Sequence, residues 1–372
     1  MRLRVLVPVL LILVILNVAL IARLSWPLLF AGTSNAPAAP PESNLGTAAP
    51  TSLTAPTAAP TSLPALPPDA SVEEGLRQQG VILLSMQDGA YAHLFAYNPR
   101  FLPLTRLTNG EWDDLHPAVS PDGTRVAFTS RQSGFWDLYI LDLRNGEMAQ
   151  LTSTPDYDGA PTWSPDGAWL AYESYANGNM DIYLCSVTDL TQAPIRLTDD
   201  LAPDFSPDWS PAGRELVFVS SRSGEDDVWL LKLDSTTLER FTNLSHDSAA
   251  HQTHPAWSAD GRSLVWSSAV DGLNTLQVWD SQNPNTFIQL AGYGVEGVWN
   301  PTGQAILARV TTHNQNGLAI YTARTGLLEM PVEILPGEVR GMDWQSGALG
   351  GAVIAAAAAG KSLAGSSPWV IV

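Results

Sequence analysis

Between Val81 and Gln345 the chain alternates short apolar, β-rich runs with polar turns. Arg125-Val-Ala-Phe-Thr-Ser130, Trp169-Leu-Ala-Tyr-Glu-Ser174, Glu215-Leu-Val-Phe-Val-Ser220 and Ser263-Leu-Val-Trp-Ser-Ser268 each read as a strand. Each follows a tight turn of one kind: Val119-Ser-Pro-Asp-Gly123, Trp163-Ser-Pro-Asp-Gly167, Trp209-Ser-Pro-Ala-Gly213 and Trp257-Ser-Ala-Asp-Gly261, with Trp299-Asn-Pro-Thr-Gly303 a fifth. Proline presets φ for the first corner, aspartate bonds its own backbone two residues on, and glycine takes the conformation that a Cβ forbids. A third strand recurs in Asp137-Leu-Tyr139, Asp181-Ile-Tyr183, Asp227-Val-Trp229, Gln277-Val-Trp279 and Ala319-Ile-Tyr321, and a fourth ends in Leu151-Thr152, Leu197-Thr198 or Phe241-Thr242.

The turn glycines lie 44, 46, 48 and 42 residues apart. Four strands per period of this length predict an all-β propeller of four-stranded antiparallel blades. The two ends give the blade count. Val81 to Thr108 supplies strands two, three and four of a blade that lacks a first strand, and Val339-Arg-Gly-Met-Asp-Trp344-Gln supplies a first strand with no second. Together they complete a sixth blade, and pairing the N- and C-terminal strands closes the ring without an open edge.

These blades, with their Trp-Ser-Pro-Asp-Gly, Ala-Phe-x-Ser, Gly-x-x-Asp-Ile-Tyr and Leu-Thr signatures, resemble the TolB-like family of six-bladed propellers over roughly Val81 to Gln345. The same blade occurs in periplasmic Tol-system proteins, in the gating domain of prolyl oligopeptidase-type enzymes, in some lyases and in receptor sensor domains. The resemblance implies the fold and suggests envelope protein interactions, while activity has to be read from the site.

Ahead of the propeller, Arg2 and Arg4 precede seventeen uncharged, mostly apolar residues from Val5 to Ile21. As a helix this stretch spans roughly 26 Å. Residues 1–32 are expected to be a transmembrane anchor, with a cleavable signal as the alternative; Trp26-Pro-Leu-Leu-Phe30 stands where a small-residue cleavage site would follow. The basic start places the N-terminus in the cytoplasm and the rest outside it, periplasmic or at the cell surface. Residues 33–70, rich in Pro, Ala, Ser and Thr, form a tether that cannot bury a core. The propeller takes 71–346. Residues 347–372 are an Ala/Gly-rich tail, read either as a helix against the propeller or as the start of a further domain.

The formal charge of −18 excludes nucleic acid as a partner, and the propeller side is more acidic still because Arg2, Arg4 and Arg23 stay with the anchor. One cysteine, Cys185, permits no intrachain disulfide.

Function is sought at the channel mouth. Three positions ahead of each first-strand anchor stand His116, Ala160, Ser206, His254, Glu296 and Gly341, and the loops leading in add Asp113, Asp114 and Asp158. His116 and His254 lie three blades apart and are expected to face each other. Two histidines and a carboxylate are ligand types for Zn²⁺ or Mn²⁺, but strands on opposite sides of a ring are too far apart for bonds of about 2.1 Å, so no metal and no cofactor is expected. Asp137, Asp181 and Asp227 recur blade by blade, which points to a structural role, accepting bonds from the Ser-Arg-x-x-Gly loops at Ser130-Arg131 and Ser221-Arg222.

Of the hydrolase elbow Gly-x-Ser-x-Gly, only Gly360-Lys-Ser362-Leu-Ala364 comes near, and it lacks the last glycine. The expectation is a monomeric, non-enzymatic protein- or peptide-binding or sensing module of the cell envelope. The alternative is an accessory or gating propeller for a hydrolase or peptidoglycan-acting domain missing from this chain or supplied in trans.

Overall fold

The computed structural model describes residues 80–98, 102–245, 250–290, 294–312, 315–323 and 328–346. The expected anchor, linker and tail, with the Gly360–Ala364 segment, lie outside them. Among the described residues no helix is long and apolar enough to cross a membrane.

The described residues form six four-stranded antiparallel sheets. The first blade contains β1 (Val81–Asp88), β2 (Tyr91–Asn98) and β3 (Leu102–Arg106). The second is β4 (Asp114–Val119), β5 (Arg125–Ser130), β6 (Asp137–Asp142) and β7 (Met148–Gln150). The third is β8 (Asp158–Trp163), β9 (Trp169–Ala176), β10 (Asn179–Ser186) and β11 (Ile195–Arg196). The fourth is β12 (Asp204–Trp209), β13 (Glu215–Ser220), β14 (Asp227–Lys232) and β15 (Phe241–Asn243). The fifth is β16 (His251–Trp257), β17 (Ser263–Val270), β18 (Leu273–Asp280) and β19 (Phe287–Gln289), and the sixth β20 (Val295–Trp299), β21 (Ala305–Thr312), β22 (Gln315–Thr322) and β23 (Leu328–Ile334). The last strand, β24 (Val339–Gln345), returns to pair with β1, setting Ile82 opposite Trp344 and Leu84 opposite Met342. The two half-blades of the sequence therefore do complete one another.

The core lies between blades. Six clusters of buried residues each draw from two neighbouring sheets, from Ile82, Leu84 and Phe95 against Leu307 and Ile320 to Ala171 and Ile182 against Leu216 and Phe218. A sheet covered on both faces needs apolar side chains at consecutive positions. This is why the second strands read as unbroken runs: Val126 to Ser130 and Leu216 to Ser220 are buried without interruption. Cys185 belongs to the layer between blades two and three, and burial pushes its thiol up to about 12.

The turns follow the chemistry read from sequence. Asp122 Oδ1 accepts the Thr124 N–H at 3.1 Å, Asp166 Oδ1 that of Ala168 at 3.0 Å, and Gly123 and Gly167 take φ of 70° and 68°. In blade four, where Ala212 replaces the aspartate, Gly213 has no left-handed φ and its N–H reaches Ser210 O at 3.4 Å, against 2.8 Å for Gly123 to Ser120.

The recurring aspartates are buried and serve their own blades; Asp137 and Asp227 each take a bond from the Ser-Arg loop that the sequence points to, and further bonds from the fourth strand. Asp137 accepts bonds from Ser133, Gln150 and the Thr154 N–H, and Asp227 from Ser223, Asn243 and Ser245. Asp181 pairs with Arg196 at 2.6 Å. The serine just before the loop glycine folds back to the start of strand three, and the fourth strand runs alongside it. Arg222 turns instead to Asp204, meeting both carboxylate oxygens at 2.8 Å.

Candidate functional site: the axial cavity

In blades two to six, His116, Ala160, Ser206, His254 and Glu296 each sit at a register shift between the first and second strands, with φ between 47° and 57°. In blade one Gly341 holds the equivalent place with φ 132°, beside the shift in the β1–β24 ladder. An L-residue in this region costs about 1–2 kcal/mol. Four of the six are followed by a proline, Pro117, Pro161, Pro207 or Pro255, which disfavours the right-handed helical alternative for the residue before it and has no N–H to leave unpaired where the ladder breaks. Because the strain recurs in five blades, with glycine holding the place in the sixth, it belongs to the architecture; what varies is the side chain carried there.

Polar links join successive blades at this level. Thr129 Oγ1 accepts the Ala160 N–H at 3.1 Å, Glu173 Oε2 that of Ser206 at 2.7 Å, and Ser267 Oγ that of Glu296 at 2.8 Å. Two residues further along the first strands a second set appears. Thr162 Oγ1 accepts the Trp209 N–H at 3.1 Å and donates to Asp208 Oδ1 at 3.0 Å; Asp208 Oδ2 accepts the Trp257 N–H, and Asp343 Oδ2 the Val119 N–H, both at 2.7 Å. Asp208 and Asp343 stand three blades apart, on blades four and one.

The six first strands wall a cavity of about 570 Å³. Its lining runs from the six strained residues to the turn residues Pro121, Pro165, Pro211, Ala259 and Pro301, and includes the carboxylates Glu173, Asp208, Glu296 and Asp343. It contains no lysine or arginine. Arg309, outside the lining, holds its Nε 3.6 Å from Glu296 Oε2.

Burial governs the charges. It pushes Asp208 up to about 7, with the Asp343 charge adding to the effect, and it raises Asp343 as well. Glu296 is raised by burial against the pull of Arg309, and His254 is lowered by burial and by the Arg309 charge. Among the described residues no three His, Cys, Asp or Glu side chains are placed to share a metal ion.

Of the residues singled out from sequence, His116, Ser206, His254 and Glu296 meet in this lining; Asp113, Asp114 and Asp158 do not. Asp113 Oδ1 accepts the Ala92 N–H of the neighbouring blade at 2.8 Å. Asp114 is buried, accepts the Ser130 hydroxyl at 2.6 Å and is pushed by burial to about 6, while the buried Asp158 accepts the Thr154 hydroxyl at 3.2 Å. They sit at the end of the first strand opposite the turn, away from the cavity. Sequence reasoning missed Glu173, Asp208 and Asp343. Aligning the blades at the position before the tryptophan-type anchor would have found the last two, since that column reads Ala118, Thr162, Asp208, Ala256, Val298 and Asp343.

The chain belongs to the TolB beta-propeller domain family, which it matches over residues 104–204 and 191–335. A TolB homologue of Chlorobium luteolum is 30% identical over 77 residues, which is 21% of this chain and 18% of that protein. TolB from Acinetobacter baumannii is similar in structure with a TM-score of 0.64 at 22% identity, over 71% of this chain and 66% of that one. A chain of a nidogen/laminin complex gives a TM-score of 0.57 at 13% identity, over 71% of this chain and 98% of that one. At these identities the solved structures speak for the fold. The matched part spans less than a fifth of the curated relative and just under two thirds of the Acinetobacter TolB.

Proposed function

We propose that this protein is a non-enzymatic binding module of the cell envelope, held to the membrane by its N-terminal segment and presenting its axial cavity to a protein or peptide partner outside the cytoplasm. The observation that carries this reading is the cavity itself. Six strands surround it; five share one strained backbone that carries His116, Ala160, Ser206, His254 and Glu296 toward it, and the sixth has Gly341 at the same place. A volume near 570 Å³ falls within the range of roughly 300–1,000 Å³ typical of sites that take a ligand or a few side chains. Rigid, proline-flanked walls lose little freedom when a partner is seated. Family membership supports an envelope role, and the acidity of the chain disfavours nucleic acid. The protein acts as a monomer without cofactor.

Proximity crosslinking from intact membranes tests this. The unaltered protein should capture one dominant envelope protein, and the triple variant His116→Ala, His254→Ala, Glu296→Gln should lose it while keeping its thermal transition. Unchanged capture by a folded triple variant would place the partner elsewhere on the ring.

A further inference from the structure

We infer that the cavity selects a basic side chain of its partner, an arginine or lysine seated between Asp208 and Asp343. This deepens the proposed function and rests on the cavity being the binding site.

Charge complementarity carries the inference. Four carboxylates and two imidazoles line the cavity and no lysine or arginine does, within a chain of formal charge −18. An anion would meet only like charge. A neutral apolar group would strip water from carboxylates without replacing it. A guanidinium or ammonium satisfies them.

Asp208 and Asp343 lie on opposite sides of the ring, between the turn prolines and the level of the histidines. Each takes three donors from the protein: Asp208 from Thr162, Trp257 and Trp209, Asp343 from Val119, Trp344 and Gln345. A carboxylate has roughly four acceptor sites, so both keep capacity for a ligand donor. Those protein bonds fix the oxygens in place, and a preorganised acceptor pair suits a group with several N–H donors.

The far end of the cavity gives a second, separate sign. Glu296 is 9% exposed and lines the cavity, yet its contact with Arg309 is 3.6 Å, longer than a hydrogen bond, and the buried Arg309 Nε has no hydrogen-bond partner. Glu296 accepts the Met342 N–H, and with Arg309 beyond hydrogen-bond reach its carboxylate keeps acceptor capacity for a donor from the ligand.

The test uses the full chain and two synthetic peptides, acetyl-Gly-Gly-Arg-Gly-Gly-amide and its citrulline counterpart, which keeps the shape and removes the charge. By titration calorimetry the arginine peptide should bind at least about tenfold more tightly, as expected of a charge-assisted contact in a desolvated site. Added NaCl should erode the difference, and the variant Asp208→Asn, Asp343→Asn should abolish it. Equal affinities, failure of the arginine peptide to bind at millimolar concentration, or an arginine preference indifferent to both salt and the double variant each overturns the inference. If the double variant does not fold, Asp343→Asn alone and the salt series on the unaltered protein decide. The two proposals fail separately. Capture that depends on His116, His254 and Glu296, with equal affinities for the two peptides, leaves the cavity reading standing and sinks this one; arginine preference lost in the Asp208, Asp343 variant, without any captured partner, keeps the cavity as a site for basic groups and sinks the envelope-partner reading.

Discussion

Asp208 joins three blades through one carboxyl, taking the Thr162 hydroxyl from one side and the Trp257 N–H from the other. The same burial that makes these bonds effective raises it from 3.8 to about 7. Between those two values the folded chain holds a proton that the unfolded chain has released. Stability is therefore fully present at the acid end of the window and declines as pH rises toward 7. Asp343 and Glu296, also raised, act in the same direction; His254, lowered, acts in the opposite one, losing stability as pH falls below the ordinary histidine value of 6.5. Asp208→Asn should flatten the decline by up to ~1.4 kcal/mol per pH unit, read from urea midpoints across the window. An unchanged slope would mean that the carboxyl titrates as in water. At this scale the sequence was half legible. His116, Ser206, His254 and Glu296 stood out because they occupy one position in successive repeats, whereas Asp208 and Asp343 hide beside the tryptophans of the first strands, and Glu173 sits in a second strand whose apolar neighbours mark it as core.

Two kinds of contact hold the strands to their places, one between neighbouring blades and one within a blade. Gly341 is one: a Cβ there would come within 2.8 Å of His116 Cα and 2.9 Å of His116 N, backbone atoms that cannot step aside. Gly341→Ala should cost about 1–3 kcal/mol in thermal or urea unfolding, the range for overpacked sites. Asp227 is the other, since it ties strand three to strand four through Asn243 at 2.8 Å and Ser245 at 2.9 Å. Asp227→Ala leaves those donors unpaired and should remove about 1–3 kcal/mol without altering partner capture. Loss of capture in a fully stable Asp227→Ala protein would make the residue functional instead. The strands themselves were legible because turn chemistry marks each repeat. The loops that serve Asp137 and Asp227 were legible too; the particular serine was not, because which one folds back depends on hairpin shape, which spacing does not encode. Blade four shows the limit from the other side: its turn motif is recognisable, yet with Ala212 for aspartate the glycine keeps a different backbone angle.

Across the whole molecule, stability is circular. Each buried layer belongs to two blades, so no blade has a core of its own, and the ring holds only if β24 completes the first one. A chain ending before Val339 would bare the edge of β1 and uncover Ile82, Leu84 and Met86. It should lose its cooperative thermal transition and aggregate, as followed by near-ultraviolet circular dichroism and size-exclusion chromatography; a sharp transition retained at the original temperature would show that closure is dispensable. This closure was legible from the two incomplete ends, since neither half-blade can stand alone. The sixfold bulge has one more consequence. In five blades its backbone is the same whether it carries imidazole, hydroxyl, carboxylate or a methyl group, so the letters at these five places can be rewritten while the page stays flat, and Gly341 is the one fixed blank. The wheel thus works as a five-character address on a fixed frame, and a new partner can be acquired by spelling changes alone.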